Sequence, residues 1–288
     1  MTKFKYKVVL QNPEVVKDTL YQAGRFAARC KTTANDKELS REAYERIGKH
    51  CFSSGHMTPF MHINWLFSVI DVSRVYSHQQ VRHHSGININ QLSGVFTKEE
   101  NLAEHFVVPP TVQAVITNNK EVEAALNEAI AASDTAYRLL LSHGVPNSDA
   151  RYIIPQGQAT SLNIGVNPVE AVHICHERLC NHAQWEIRAV WHEIARQVAA
   201  IDPFWKEYLV PKCVYLHGCN EKPSCGYYQA YTHPQVEIKD FYEDRTTIHT
   251  CTKCQAKLML KDDDPYPYME PFLCRRCATE LGVNNGDE

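Results

Sequence analysis

His78-Gln79-Gln80-Val81-Arg82-His83-His84-Ser85-Gly86-Ile87-Asn88-Ile89-Asn90-Gln91-Leu92-Ser93-Gly94 is the stretch on which the reading of this chain turns. Cationic and amide groups are packed there so densely that the segment is expected to face a polyanionic ligand. Arg82, with His83 and His84, can contact a phosphate or a carbonyl-rich ring. Ser93 and the backbone at Gly94 can donate hydrogen bonds to phosphate oxygens. Gln79 and Gln91 can read an amide-like edge. A nucleotide is the natural ligand for that mixture; a polar network inside an oligomer is the other reading.

The surrounding chain is ordinary in bulk. Its 288 residues allow one large domain and a small one. A formal net charge of −3 argues against bulk attraction to nucleic acid or an anionic membrane, so any anion site must be local. The N-terminus carries no apolar core of a signal peptide, and no stretch approaches a membrane span. Eleven cysteines, an odd count with two CxxC pairs, fit a reducing cytoplasm and a metal site better than a disulfide scaffold.

Working outward, Asn12-Pro13-Glu14 opens an expected helix to about Cys30, and Asp36 caps another to about Cys51. Gly55 to Phe60 reads as a turn. The alternation of Ile63, Trp65, Phe67 and Val69 predicts a half-buried strand. Asp71 and Ser73 offer caps for a short helix on which Arg74, His78 and Arg82 share one face. Glu121 to Ser142 is a long Ala/Leu-rich helix. Arg151–Ile154 and Ala159–Val166 read as two short strands. Asn167, Pro168 and Glu170 form a strong helix start, followed by an apolar stripe from Val172 to Val198. Arg178, His182 and Trp185 lie on one flank of that predicted helix. His105, His143, His192 and His233 read as surface or core fillers.

Composition changes near residue 234, which gives domains at 1–234 and 235–288. Cys251-x-x-Cys254 and Cys274-x-x-Cys277, nineteen residues apart, have the spacing of a four-cysteine zinc ribbon. Four filled positions leave no open ligand site, so the metal would be structural. Basic residues in the ribbon are offset by acidic ones, and a nucleic-acid or protein partner is possible but weakly signalled. Cys213, Cys219 and Cys225, with His217, fit no ordinary metal knuckle, and packed or loop cysteines are the favoured reading.

The central stretch resembles the signature of flavin-dependent thymidylate synthases: Arg-His-Arg, seven residues, then Ser. Four further segments carry the resemblance. Gly55 to His62 is similar to the family's Gly-His-x-(Ser/Thr)-x-Phe-Glu-His, and Asp149 to Pro155 to its Asp-Ala-Arg-x-x-Leu-Pro. Arg178 to Arg188 is similar to its late helix, and Cys213 to Gly226 to its C-terminal segment. The resemblance covers about residues 1–230. It implies an α+β fold, a twisted antiparallel sheet flanked by helices, assembled as a homotetramer with active sites where subunits meet. It implies FAD reduced by NADPH, and transfer of a one-carbon group from methylenetetrahydrofolate to C5 of dUMP. Carried over, Thr58, Arg82, His83, His84, Asn167 and His173 fall at flavin positions, and His56 beside flavin and folate. Gln79, Gln91, Ser93, Gly94, Arg151 and Arg178 fall where the nucleotide binds. Arg178, with His56, is the implied catalytic group, polarising the pyrimidine.

The chain departs from the pattern at His84 for the second Arg, with eight residues before Ser93. It departs again at Gln91 for an acid, Val95 for a phosphate-clamping Arg, Met61 for Glu, Val169 for a basic residue and His173 for Asn. These changes leave three readings open: ordinary dUMP methylation, methylation or hydroxymethylation of another pyrimidine nucleotide such as dCMP, and an inactive relative that binds through the ribbon.

Overall fold

The computed structural model describes residues 6–31, 38–99, 101–222, 224–225, 227–228, 246–250 and 257–261. The chain divides into two compact units between Ala171 and Val172.

The first unit is built on a four-stranded antiparallel sheet. β1 (Lys7–Leu10), β2 (Trp65–Ser73), β3 (Ile87–Gln91) and β4 (Ala159–Val166) take the order β1-β2-β4-β3. Trp65, Phe67 and Val69 of β2 alternate inward, as do Thr160, Leu162, Ile164 and Val166 of β4, so one face buries apolar rows. Between Val69 and Val72 the register slips. Asp71 takes a left-handed φ of 57° there, a bulge that re-aims the end of the strand.

Helices α1 (Pro13–Ala28) and α2 (Arg41–Ser53) pack on each other at close range. A Cβ at Gly24 would lie 1.8 Å from the Tyr44 carbonyl oxygen, and one at Gly48 would lie 2.1 Å from that of Leu20. Glycine at both positions is what lets the two backbones meet. Asn12 does not cap α1 with its side chain. Its amide instead donates to the Asn64 carbonyl (3.0 Å) and accepts from Leu66 N–H (2.8 Å), tying the start of α1 to β2. The cap of α2 is Ser40, whose hydroxyl accepts from Ala43 N–H; Asp36 lies outside the described residues.

Short helix α3 (Arg74–Gln80) follows β2 directly, with Ser73 accepting from Tyr76 N–H as expected of a cap. Arg82 is not on it. After Val81 the chain turns, with Arg82 and His83 N–H donating to Gln79 and Gln80 carbonyls, and a left-handed Gly86 (φ 69°) leads into β3. Periodicity alone could not see that stop.

Beyond β3 come α4 (Pro110–Asn118), α5 (Lys120–Ser142) and α6 (Asn147–Ala150). The expected strand at Arg151 is a 3-10 turn, Arg151–Ile153, closed by Ile154 N–H onto the Arg151 carbonyl. The four residues between the end of α6 and Pro155 are taken up by that turn, so no ladder forms there.

The single long helix expected from 168 onward is two: α7 (Pro168–Arg178) and α8 (Trp185–Ile201). Ala183 N–H closes a turn on the Cys180 carbonyl, and the Gln184 side chain caps α8 through Glu186 and Ile187 N–H. The apolar stripe survives because each helix buries its own part of it. His182 and Trp185 therefore do not share a helix with Arg178. In the second unit, Val190, Trp191, Ile194, Trp205 and Leu209 are buried. α9 (Lys212–Tyr215) follows, and farther on β5 (Thr246–Thr250) pairs antiparallel with β6 (Lys257–Lys261).

Cys251 and Cys254 fall between β5 and β6 in sequence. With Cys274, Cys277 and the boundary near 234, they lie outside the described residues. Among the described residues no helix is long and apolar enough to cross a membrane.

Candidate functional site

The bulge in β2, the start of α3, the segment after β3 and the turn after α6 enclose a cavity of about 640 Å³ in the first unit. Two guanidinium groups, from Arg74 and Arg151, line it. Arg74 is fixed by its place: it follows the Ser73 cap, and its N–H donates to the Gln158 carbonyl (3.0 Å). Burial lowers the proton affinity of Arg74, and the charge of Arg151 lowers it further. Two like charges facing one partly desolvated space are costly unless an anion joins them. Lys98 adds a third cation, while Asp71 and Glu99 are the acidic groups of the lining. Glu99 is already engaged, accepting from Gln158 Nε2 (2.8 Å) and lying 2.8 Å from His105 Nδ1. His105, exposed as expected of a surface residue, stands at the cavity wall.

Gly94 sets the position of Arg151. A Cβ there would lie 2.5 Å from Arg151 Nη1, so the guanidinium rests against bare backbone. The loop that carries Gly94 is held from below. Asn147 Nδ2 donates to the carbonyls of Gly94 (2.7 Å), Val95 (3.2 Å) and Thr97 (2.9 Å), while its Oδ1 accepts from the buried Tyr137 hydroxyl (2.6 Å). Within the loop, Thr97 N–H and hydroxyl both donate to the Ser93 carbonyl.

The other residues singled out in the sequence divide by environment. Gln79 and Ser93 are half-buried. Gln91 does not present its amide to the cavity: Nε2 donates to Ser77 (3.2 Å) and Thr160 (3.3 Å) at the end of the sheet. Arg82 and His84 are exposed, with His84 Nδ1 2.9 Å from the Arg82 carbonyl. The His83 ring is nearly buried, 3.8 Å from the Glu170 carboxylate. Asn167 has a structural position: Oδ1 caps α7 through Glu170 N–H (2.8 Å), and its N–H donates to the Gly86 carbonyl. His56 and Thr58 are exposed at a 3-10 turn, Thr58–His62, and do not line this cavity.

In the second unit His173 is exposed, and Arg178, the last residue of α7, lines a separate cavity of about 220 Å³. His176 lines it too. Burial pushes its imidazole down to about 4, so the ring is neutral and stacks on Tyr215.

Sequence reading missed two contributors. Arg74 was visible only as a cation on a helix face, and its i, i+4 spacing to His78, which also lines the cavity, was the available signal. Asn147 carried no signal at all, because its role depends on main-chain atoms fifty residues away.

The family described as Thymidylate synthase complementing protein matches residues 10–204. A flavin-dependent thymidylate synthase of Saccharolobus solfataricus is 33% identical over 181 residues, 62% of this chain and 66% of that protein. The protein of the same name from Pyrococcus furiosus is 31% identical over 206 residues, 65% of this chain and 82% of its own length. A third, from Geobacter sulfurreducens, is 34% identical over 151 residues, 52% of this chain and 63% of its own. With two thirds of its length matched and relatives that are enzymes, the chain belongs to the thymidylate synthase complementing protein family.

Proposed function

We propose that this chain transfers a one-carbon group from methylenetetrahydrofolate to C5 of a pyrimidine deoxynucleotide, converting dUMP to dTMP, with FAD and NADPH as redox partners. The observation that carries the reading is the Arg74–Arg151 pair at one cavity, against the glycine that lets Arg151 approach. A nucleotide monophosphate is the anion that pair suits, because two guanidinium forks match phosphate oxygens. Ser93 and the backbone of Gly94 add donors, and Gln79 reads the base. Arg178 polarises the pyrimidine carbonyl: its guanidinium stabilises negative charge as it develops and makes C5 the better nucleophile.

The residues present fit a flavin dinucleotide in their donor chemistry. Arg82, His84, His56 and Thr58 expose cationic and hydroxyl groups suited to a diphosphate and a carbonyl-rich ring. His83 and Asn167 serve that site as framework. When bound, FAD supplies the redox equivalents drawn from NADPH. His173 and Gln91 complete the assignment, the former toward the flavin and the latter as a support for the nucleotide side. We further propose a homotetramer with active sites where copies meet, and a structural zinc ion on Cys251, Cys254, Cys274 and Cys277 in a ribbon that engages nucleic acid or protein.

The change of an acid to Gln91 does not by itself argue for a new substrate. An amide donating to two hydroxyls at the sheet end is accounted for locally. Val95, exposed where a clamping cation would serve, favours the second reading, a different pyrimidine or C5 product.

The test is incubation of the full chain with FAD, NADPH and methylenetetrahydrofolate, plus dUMP, dCMP or UMP, followed by mass analysis. dTMP from dUMP is the expected product. Consumption of dCMP alone would replace the substrate assignment, and a chain that takes up no flavin would reduce the protein to an inactive relative.

A further inference from the structure

Within the second unit, four cysteines from distant parts of the sequence line one cavity. Cys180 stands two residues beyond the end of α7, Cys213 is the second residue of α9, and Cys219 and Cys225 follow at intervals of six. All four face the 220 Å³ cavity that Arg178 and Lys212 also line. None is in a disulfide, and all are partly buried. His217, the fourth group suggested by sequence, is exposed and does not line the cavity; Cys180 takes that place. It was overlooked because thirty-odd residues separate it from the others.

We propose that Cys180, Cys213, Cys219 and Cys225 form a four-thiolate site for one structural zinc-class ion, fastening the Arg178-bearing end of α7 to the segment after α9. Four thiols around one space match the tetrahedral number that zinc takes, and a closed shell suits a structural ion. Burial first, and then the neighbouring Cys225, Cys219 and Cys180, raise the Cys213 thiol to about 12, which marks the four side chains as neighbours. Cys180 is raised as well, by burial first and then by Cys225, Glu221 and Cys219. No three of the four sulfurs lie within 4.8 Å of one another, so binding would draw them together. Zinc–sulfur bonds of about 2.3 Å would set the final separation. Binding exchanges four S–H bonds for four metal–sulfur bonds and releases four protons. The resulting double negative charge faces Arg178 and Lys212 across the same cavity.

This assignment does not depend on the enzymatic reading, and the C-terminal cysteines must be kept apart from it. The experiment compares the full chain with a Cys180→Ser/Cys219→Ser variant. It repeats the comparison in a background carrying Cys251→Ser, Cys254→Ser, Cys274→Ser and Cys277→Ser. Zinc content is expected to fall by one ion per chain in both comparisons, and in the background without the C-terminal cysteines cobalt loading should give the intense visible bands of tetrahedral thiolate coordination only where the four cysteines remain. An unchanged metal content overturns the site. To keep the test independent of how substituted chains fold, the unsubstituted protein is also alkylated with and without a chelator, and its cysteine peptides are read by mass spectrometry. Protection of all four cysteines that is lost on chelation supports the site. Equal modification in both conditions, or a disulfide among the four under reducing preparation, overturns it.

Discussion

Arg151 occupies its place because residue 94 has no side chain, and that dependence can be tested one atom at a time. In Gly94→Ala the new Cβ meets the far end of a flexible side chain, so the fold should hold while the guanidinium swings away. The expected result is a roughly tenfold rise in KM for the nucleotide with little change in thermal midpoint. Arg151→Ala removes the charge itself. At about 1.5–3 kcal/mol for a charge-assisted hydrogen bond, KM should rise on the order of 10- to 100-fold, read by steady-state kinetics. Arg178→Ala should abolish turnover while the protein still takes up flavin; unchanged turnover would remove Arg178 from its role. At this scale the sequence was partly legible. Residue types in the central stretch suggested an anion site; what the structure adds is that Gly94 and Arg151 meet at one cavity. The partners of Gln91 could not be read, because Ser77 and Thr160 become its neighbours only once the sheet forms.

Elements were legible where they repeat a period and illegible where they stop. β2 announced itself through Trp65, Phe67 and Val69, and α5 through its composition. β1 and β3 are four and five residues long, and their partners lie far off in sequence, so nothing local marks them. The break between α7 and α8 was hidden by an apolar stripe that continues across it. The α1–α2 crossing was likewise invisible, since Gly24 and Gly48 matter only to each other's helix. Gly24→Ala puts a methyl into the Tyr44 carbonyl, where backbone rather than side chain must yield. Overpacking of this kind costs about 1–3 kcal/mol, and a denaturant midpoint lowered to match is the expected outcome. A midpoint equal to that of the parent would mean that the helices separate without penalty.

For the whole molecule, a chain of net charge −3 still places three cations, Arg74, Lys98 and Arg151, at one partly buried cavity. Nucleotide affinity should therefore weaken only modestly with salt, since partly buried charges are screened less than exposed ones. A steep loss on titration with salt would point to a surface site instead. Assembly is a second test at this scale: light scattering should give a mass near four times the 32.9 kDa chain if the active sites need neighbouring copies. Asn147 has a further bearing on the protein's history. It grips the loop after β3 by carbonyl oxygens alone, and every amino acid carries a carbonyl. A segment anchored in that way can exchange its side chains freely while keeping its contour. Letters such as those at 95 and 96 are thus open to drift, and a lineage could adjust what its enzyme accepts without rebuilding the frame beneath.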